Sequence, residues 1–379
     1  MHRTAIAYNV PAITGREQEY LQDVIGNRRF SGDGPMMRKC EKFLETLLGA
    51  PKVLLTPSCT HALEMTALLL DIGPGDEVIM PSFTFVSSAN AFALRGASIV
   101  FVDVDPKTMN VDVECIRQAI TQRTKAILVV HYAGVACDMD ALIDIARGTG
   151  VTLIEDAAQT MGASYKNRAL GTFGALGCIS FHETKNIHCG EGGALVINDK
   201  ALAARAEILR EKGTNRSVFL RGEVDKYTWV DIGSSYLPSE LNAAFLLPQL
   251  EDLVDITAKR MRIWQRYQTA LANSGFEIPR PSLDCTHNAH IFWIKLQDET
   301  ARNDMIAYLR EKRIQAPFHY VPLHSTAPGR RFGAFHGADE WTTRESGRLL
   351  RLPLHLSLTE DDIEYVIDTI VQHAQATDR

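Results

Sequence analysis

A lysine in a loop between two apolar runs is the first place in this sequence where covalent chemistry could occur. Lys185 lies in Ser180-Phe181-His182-Glu183-Thr184-Lys185-Asn186-Ile187-His188-Cys189-Gly190-Glu191-Gly192-Gly193, bounded by Leu176–Ile179 and Ala194–Ile197. The spacing predicts strand, loop, strand, with an amine at a strand edge among hydroxyls and permissive glycines. Lysine is the side chain that forms Schiff bases with carbonyl compounds. A solvated surface position is the commoner fate of a lysine, so the reading depends on what else the chain brings to that edge.

Three further stretches follow predicted strands. After Val53–Leu55 comes Thr56-Pro57-Ser58-Cys59-Thr60, opening a helix. The free N–H groups and positive dipole end of a helix start suit an anion, and the hydroxyls of Ser58 and Thr60 add donors. The same residue types also serve as a plain N-cap. After Glu77–Met80, Pro81-Ser82-Phe83-Thr84-Phe85 offers aromatics, either to stack on a flat ring or to fill the core. After Thr152–Ile154, Glu155-Asp156-Ala157-Ala158-Gln159 puts a carboxylate at a strand end, where it can pair with a pyridinium nitrogen or cap a helix. Ligands of open α/β sheets bind beyond the carboxyl ends of the strands. A phosphate cradle, an aromatic, a carboxylate and a lysine at one such edge are together what pyridoxal phosphate (PLP) needs.

The elements that must position them alternate. Val53–Leu55, Glu77–Met80, Ser98–Val102, Ala126–His131, Thr152–Glu155, Cys178–Phe181 and Ala194–Ile197 read as strands. Thr60–Leu70, Ser88–Leu94, Val113–Ile120, Met139–Arg147 and Ala201–Lys212 read as the helices between them, after an earlier helix at Met36–Leu48. Several strands are apolar on both faces, as in buried parallel sheets, so an α/β fold with a mostly parallel seven-stranded sheet is expected. A polar loop spans Gly213–Ser235, and one helix is expected from about Pro238 through Tyr267. Pro279-Arg280-Pro281 marks a change of pattern. Beyond it we expect strands at His290–Leu296 and Ile314–Tyr320, and helices at Asp298–Lys312, Trp341–Leu350 and Thr359–Gln375. The chain divides into residues 1–255, a large α/β unit with an N-terminal arm, and 256–379, a smaller C-terminal α+β unit.

Composition narrows the class. At 379 residues the chain exceeds the size at which one core usually splits. A net charge of −6 offers no bulk attraction to nucleic acid or anionic membrane. Seven cysteines without C-x-x-C spacing argue for a reducing compartment. Met1–Val10 lacks the apolar run of a signal peptide, and no stretch reaches the roughly 18 apolar residues of a membrane span; a cytoplasmic enzyme is expected. No metal is expected either. His131, Cys137, His182, His188 and Cys189 do not form an H-E-x-x-H or paired C-x-x-C pattern.

Residues 9–375 resemble the sugar aminotransferases of the DegT/DnrJ/EryC1/StrS family. The marks are Pro81-x-x-Thr84-Phe85, Glu155-Asp156-Ala157-Ala158-Gln159, and Ser180-Phe181-x-x-x-Lys185-Asn186 with Gly190-Glu191-Gly192-Gly193. Leu54–Thr60, His131–Cys137, His182–Asn186, Glu211–Ser217 and Asp225–Trp229 look most like members that make dTDP-4-amino-4,6-dideoxygalactose. The resemblance implies the PLP-dependent transferase type I (aspartate-aminotransferase-like) fold, with the cofactor in the first unit. It also implies roles. Lys185 would hold PLP and shuttle the proton, Asp156 would pair with the pyridinium nitrogen, and Gln159 would sit near the ring hydroxyl. Phe85 would stack on the ring, while Ser58, Cys59, Thr60 and Ser180 would hold the phosphate. Many relatives place an asparagine near Ser235 for the neighbouring subunit's phosphate, and this chain departs from that pattern. A relative that dehydrates sugars has histidine at the Lys185 position, so lysine argues for transamination.

The substrates so implied are L-glutamate, leaving as 2-oxoglutarate, and dTDP-4-keto-6-deoxyglucose, aminated at C4 to the galacto product for bacterial surface polysaccharides such as O-antigen or enterobacterial common antigen. His319, Tyr320 and His324 lie where relatives place substrate contacts, and Arg216 is a candidate for the diphosphate, as are Lys226 and Arg331. Residues 30–35 and 213–235 are expected to complete the site across a homodimer interface. Two alternatives stand beside this reading. One is a family aminotransferase with another keto-sugar nucleotide or the gluco epimer as product, and the other is a non-catalytic PLP-fold regulator.

Overall fold

The computed structural model describes residues 4–377; residues 1–3 of the first expected unit and 378–379 of the second lie outside them. The sheet is built from β1 (Lys52–Thr56), β2 (Glu77–Pro81), β3 (Ser98–Val102), β4 (Thr124–Val130), β5 (Thr152–Asp156), β6 (Leu176–Ser180) and β7 (Gly193–Ile197). These are the seven expected strands. An eighth, β8 (Gly333–Phe335), returns from the C-terminal part of the chain to pair parallel with β3 at the sheet edge. The spatial order is β1-β7-β6-β5-β4-β2-β3-β8. Only β7 runs against its neighbours β1 and β6. All other carboxyl ends therefore share one edge.

The strands are buried on both faces because their apolar residues alternate between two layers. Leu54, Val78, Met80, Phe101, Leu128 and Ile154 pack on one side with Ala62, Leu63 and Met65 of helix α1 (Cys59–Leu69). Val53, Leu55, Ile179 and Val196 pack on the other with Met37, Leu44 and Leu247. Each such leucine or valine contributes about 1.5–3 kcal/mol by leaving water. Helix α2 (Val86–Ala93) follows β2 directly. No helix among the described residues is long and apolar enough to cross a membrane.

Five expectations are corrected in detail. The single helix from Pro238 through Tyr267 is two, α3 (Glu240–Glu251) and α4 (Leu253–Leu271), broken at Asp252. Pro248, which has no N–H to give the ladder, lies in the last turn before the break. Ala201–Lys212 is a short 3₁₀ turn followed by a helix at Ala203–Arg210. The polar loop 213–235 contains a short helix, Arg216–Leu220. Finally, Ile314–Tyr320 makes only isolated bridges, Ile314 to Ile6 and Phe318 to Leu350. The true partner of Phe292–Lys295 is Leu349–Leu352, antiparallel; the helix before it ends at Arg348.

A third core gathers Phe292, Ile294, Leu350, Leu352 and Val366 with Ile263, Trp264 and Tyr267 of α4. Leu253 and Ile256 at the other end of α4 belong to the core of the large sheet. Ile6 joins the C-terminal core, and Phe335 of β8 packs against the sheet core.

Candidate active site

At the shared carboxyl edge lies a cavity of about 600 Å³. Ser58, Cys59, Thr60, Phe85, Asp156, Gln159, Ser180, Lys185, His319 and Tyr320 all line it. Residues from the ends of β1, β2, β5 and β6 thus meet in one place. Ser235, Arg216 and His324 are not brought there. Ser235 is exposed and bridges to Glu211. Arg216 pairs with Glu211 at 2.9 Å and with Asp33 at 3.5 Å. The His324 ring sits between the Ser82 hydroxyl at 2.7 Å and Asp339 at 3.1 Å.

The start of α1 forms one end of the cavity. Ser58 is its N-cap, accepting the His61 N–H, so the plain capping role that the sequence also allows is present here. The cap leaves the first-turn N–H groups of Cys59 and Thr60 for a bound anion, since no helix can pair them internally. Thr60 Oγ1 is 2.8 Å from Ser87 Oγ. Gly193 makes this geometry possible: a Cβ there would lie 2.4 Å from the Cys59 nitrogen. Burial pushes the Cys59 thiol well above the usual range, which disfavours the thiolate that a nucleophile needs.

Asp156, at the end of β5, is only 6 % exposed. One oxygen accepts from Ser88 Oγ at 2.7 Å and the other from the Ala158 N–H at 3.2 Å. Burial raises its pKa, and these two donors pull against that rise. Burial also lowers the pKa of Lys185, which favours the neutral amine. Gln159 is fixed by the Ala133 N–H on its oxygen at 2.6 Å, and its amide nitrogen donates to Tyr320 at 3.4 Å. Phe83 is buried while Phe85 is 57 % exposed at the rim, so only the second is available to a bound ring. His319 stacks on Tyr320, centroids 3.7 Å apart. Burial, reinforced by Arg351 and Lys185, holds His319 far below the usual imidazole range, hence neutral.

The model of the DegT/DnrJ/EryC1/StrS aminotransferase family matches residues 11–371. The chain belongs to that family. SpsC, a spore coat polysaccharide biosynthesis protein of Bacillus subtilis, is 32 % identical to this aminotransferase over 374 residues, 96 % of each chain. The aminotransferase TlmJ from Streptoalloteichus hindustanus superposes with a TM-score of 0.92 at 31 % identity, covering 99 % of this chain and 100 % of that one. Spr1654 of Streptococcus pneumoniae, solved in a PLP form, superposes at 0.88 with 25 % identity over 98 % and 99 % of the two chains.

The aminotransferase cavity also holds residues that the sequence reading missed. Tyr8 and Asn9 come from the N-terminal arm, Arg260 from α4, His290 from just before Phe292–Lys295, and Arg351 from its partner strand. Arg260 donates to the Ala289 and His290 carbonyls at 3.1 and 2.9 Å. Arg351 donates to Tyr8 Oη at 2.8 Å and the Phe318 carbonyl at 3.1 Å, and its Nε has no partner. Among the described residues neither arginine has an acidic partner. Arg260 left a signal, for it sits on the stripe Ile256, Ile263, Trp264, Tyr267 where every neighbour is apolar. Among the described residues no three metal-ligating side chains come together: His131 pairs with Glu155 at 3.0 Å and accepts the Cys137 N–H at 3.2 Å, and His188 bonds the Ala12 carbonyl at 2.7 Å.

Proposed function

We propose that this protein moves the amino group of L-glutamate to C4 of dTDP-4-keto-6-deoxyglucose, giving dTDP-4-amino-4,6-dideoxygalactose, with PLP as its cofactor. One observation carries the cofactor site: an amine, a buried carboxylate and a helix N-terminus converge from separate strand ends on one cavity. That donor set fits PLP, whose aldehyde, ring nitrogen and phosphate need those three groups. Bound PLP supplies an electron sink for the carbon that loses its proton.

The protein does the rest. Lys185 anchors the cofactor and, once released, carries the proton. Asp156 holds the ring nitrogen protonated. Gln159 donates toward the ring hydroxyl and Phe85 covers the ring face. Cys59, Thr60, Ser58 and Ser180 hold the phosphate. Residues 256–379 close the site over the cofactor held by 1–255, since Arg260, His290, His319, Tyr320 and Arg351 all come from them. Replacement of Gly193 by alanine drives a Cβ into the Ser58–Cys59 backbone. Overpacking of that kind costs about 1–3 kcal/mol, so a roughly tenfold or greater rise in the Kd for PLP is expected in titrations of the apoprotein.

Arg260 and Arg351 line the cavity without an acidic partner among the described residues, which supports an anionic substrate. We assign the α-carboxylate of L-glutamate to Arg351, held in place by Tyr8. A hydrogen bond to a charged group is worth about 1.5–3 kcal/mol. Arg351→Met is therefore expected to raise the KM for L-glutamate about 10- to 100-fold in steady-state kinetics, leaving the KM for the sugar nucleotide within about twofold.

The kinship with SpsC supports a place in polysaccharide synthesis. Phe219, Leu220, Tyr227, Trp229, Val230 and Ile232 leave large apolar surface exposed along 213–235, and surface of that kind marks interaction sites. We read it as the contact of a homodimer, joined by the 30–35 turn that Arg216 ties to it through Asp33. Incubation with dTDP-4-keto-6-deoxyglucose and L-glutamate, followed by NMR of the product, tests the reaction. An axial C4 amine is expected; an equatorial amine or no amination overturns the assignment.

A further inference from the structure

Behind Asp156 lies a chain of hydroxyls that no expected role uses. Ser88, in the first turn of α2, and Thr84, just before that helix, are both buried. Ser88 Oγ is 2.7 Å from Asp156 Oδ2 and 2.7 Å from Thr84 Oγ1. A hydroxyl has one proton to give, and a carboxylate can only accept. With Asp156 ionised, Ser88 must therefore donate to it, and Thr84 must donate to Ser88. The order Thr84 to Ser88 to Asp156 requires Oδ2 to remain an acceptor, free of a proton aimed at Ser88. A neutral Asp156 with its proton on Oδ2 would reverse at least the first link.

We propose that the Thr84–Ser88 relay is a positioning device that keeps Asp156 ionised and so keeps the ring nitrogen of bound PLP protonated. The proposal rests on the reading of Asp156 as partner of that nitrogen. The other groups that face Asp156 act beside the relay. Lys185 and His131 favour its charge from the β6–β7 loop and the end of β4. The thiols of Cys59 and Cys178, and Tyr320, surround it from α1, β6 and the C-terminal part, and burial keeps all three neutral. The hydroxyl relay stays through the whole cycle, and linked hydrogen bonds in a low-dielectric interior strengthen one another.

The test uses the enzyme reconstituted with PLP carrying ¹⁵N in the ring, and reads the ring-nitrogen chemical shift as pH is varied. Asp156→Asn is expected to give the shift of an unprotonated ring, which anchors the scale. Ser88→Ala is expected to lower the ratio of protonated to unprotonated nitrogen about tenfold, the lower bound for a hydrogen bond to a charged group. Ser88→Thr keeps the hydroxyl and is expected to restore the parent shift, while Thr84→Val moves it in the same direction as Ser88→Ala by less. A parent-like shift in Ser88→Ala beside a changed one in Asp156→Asn overturns the relay and leaves the Asp156 assignment standing. An unchanged shift in Asp156→Asn overturns both. If Ser88→Ala does not accumulate as folded protein, Thr84→Val decides alone, and an unmoved resonance there overturns the relay.

Discussion

Lys185→Ala is expected to yield a folded protein that binds PLP without a covalent link and turns over at least about 10³-fold more slowly. Two functions leave with one side chain. The first is covalent attachment. The second is proton transfer at the reacting carbon, for which a positioned base is generally worth about 10²–10⁴-fold. No neighbour can take over. His319 and His290 are held neutral but are fixed by stacking on Tyr320 and by Asn186 at 2.9 Å, and Arg260 and Arg351 do not give up a proton at working pH. Borohydride reduction followed by mass spectrometry should trap cofactor on the parent and none on the variant. Normal turnover by Lys185→Ala would sink the assignment. The parent adds a pH signature. Burial lowers the pKa of Lys185, so the neutral, nucleophilic amine is already appreciable below the usual lysine range. The rate of PLP attachment should rise with pH and level off earlier than for a free lysine.

Asp156→Ala is expected to retain bound cofactor but slow single-turnover amination about 10²–10⁴-fold, because an unprotonated ring accepts electrons poorly. The variant also strands the Ser88 hydroxyl. A buried donor without its acceptor costs about 1–3 kcal/mol, while the cost of burying the Asp156 charge is relieved. The two effects oppose each other, so thermal stability should change little while the rate collapses. That separation is what distinguishes a chemical role from a structural one. An unchanged single-turnover rate would remove Asp156 from the chemistry.

The half of the site built on the parallel sheet was readable because its residues sit within a few positions of apolar runs. Ser58, Phe85, Asp156 and Lys185 each follow a strand that the apolar pattern marks, and sheet geometry sends such residues to one edge. The other half carries no local sign. Leu349–Leu350, the start of that strand, reads as the end of a helix because so short an apolar run suits either structure. It becomes a strand only through Phe292–Lys295, more than fifty residues earlier. Arg351 and Tyr8 meet across almost the whole sequence, so neither had a neighbour in the chain to reveal it. The break at Asp252 was hidden for a different reason: the apolar stripe runs across it, and the two helices pack continuously. Ser88 escaped notice because a serine in a helix start is ordinary until its acceptor is known.

The crossing of the chain ends has a practical consequence. The arm holding Ile6 is tied into the far core, β8 is tied into the near sheet, and α4 spans both. Cutting the polypeptide between residues 255 and 256 would sever α4 near its start, strip β3 of its outer neighbour and leave the C-terminal core without Ile6. The two cores are laced rather than linked. Scission should give two insoluble fragments that regain a native-like near-ultraviolet signal only when refolded together, and heating the intact chain should melt both cores in a single transition.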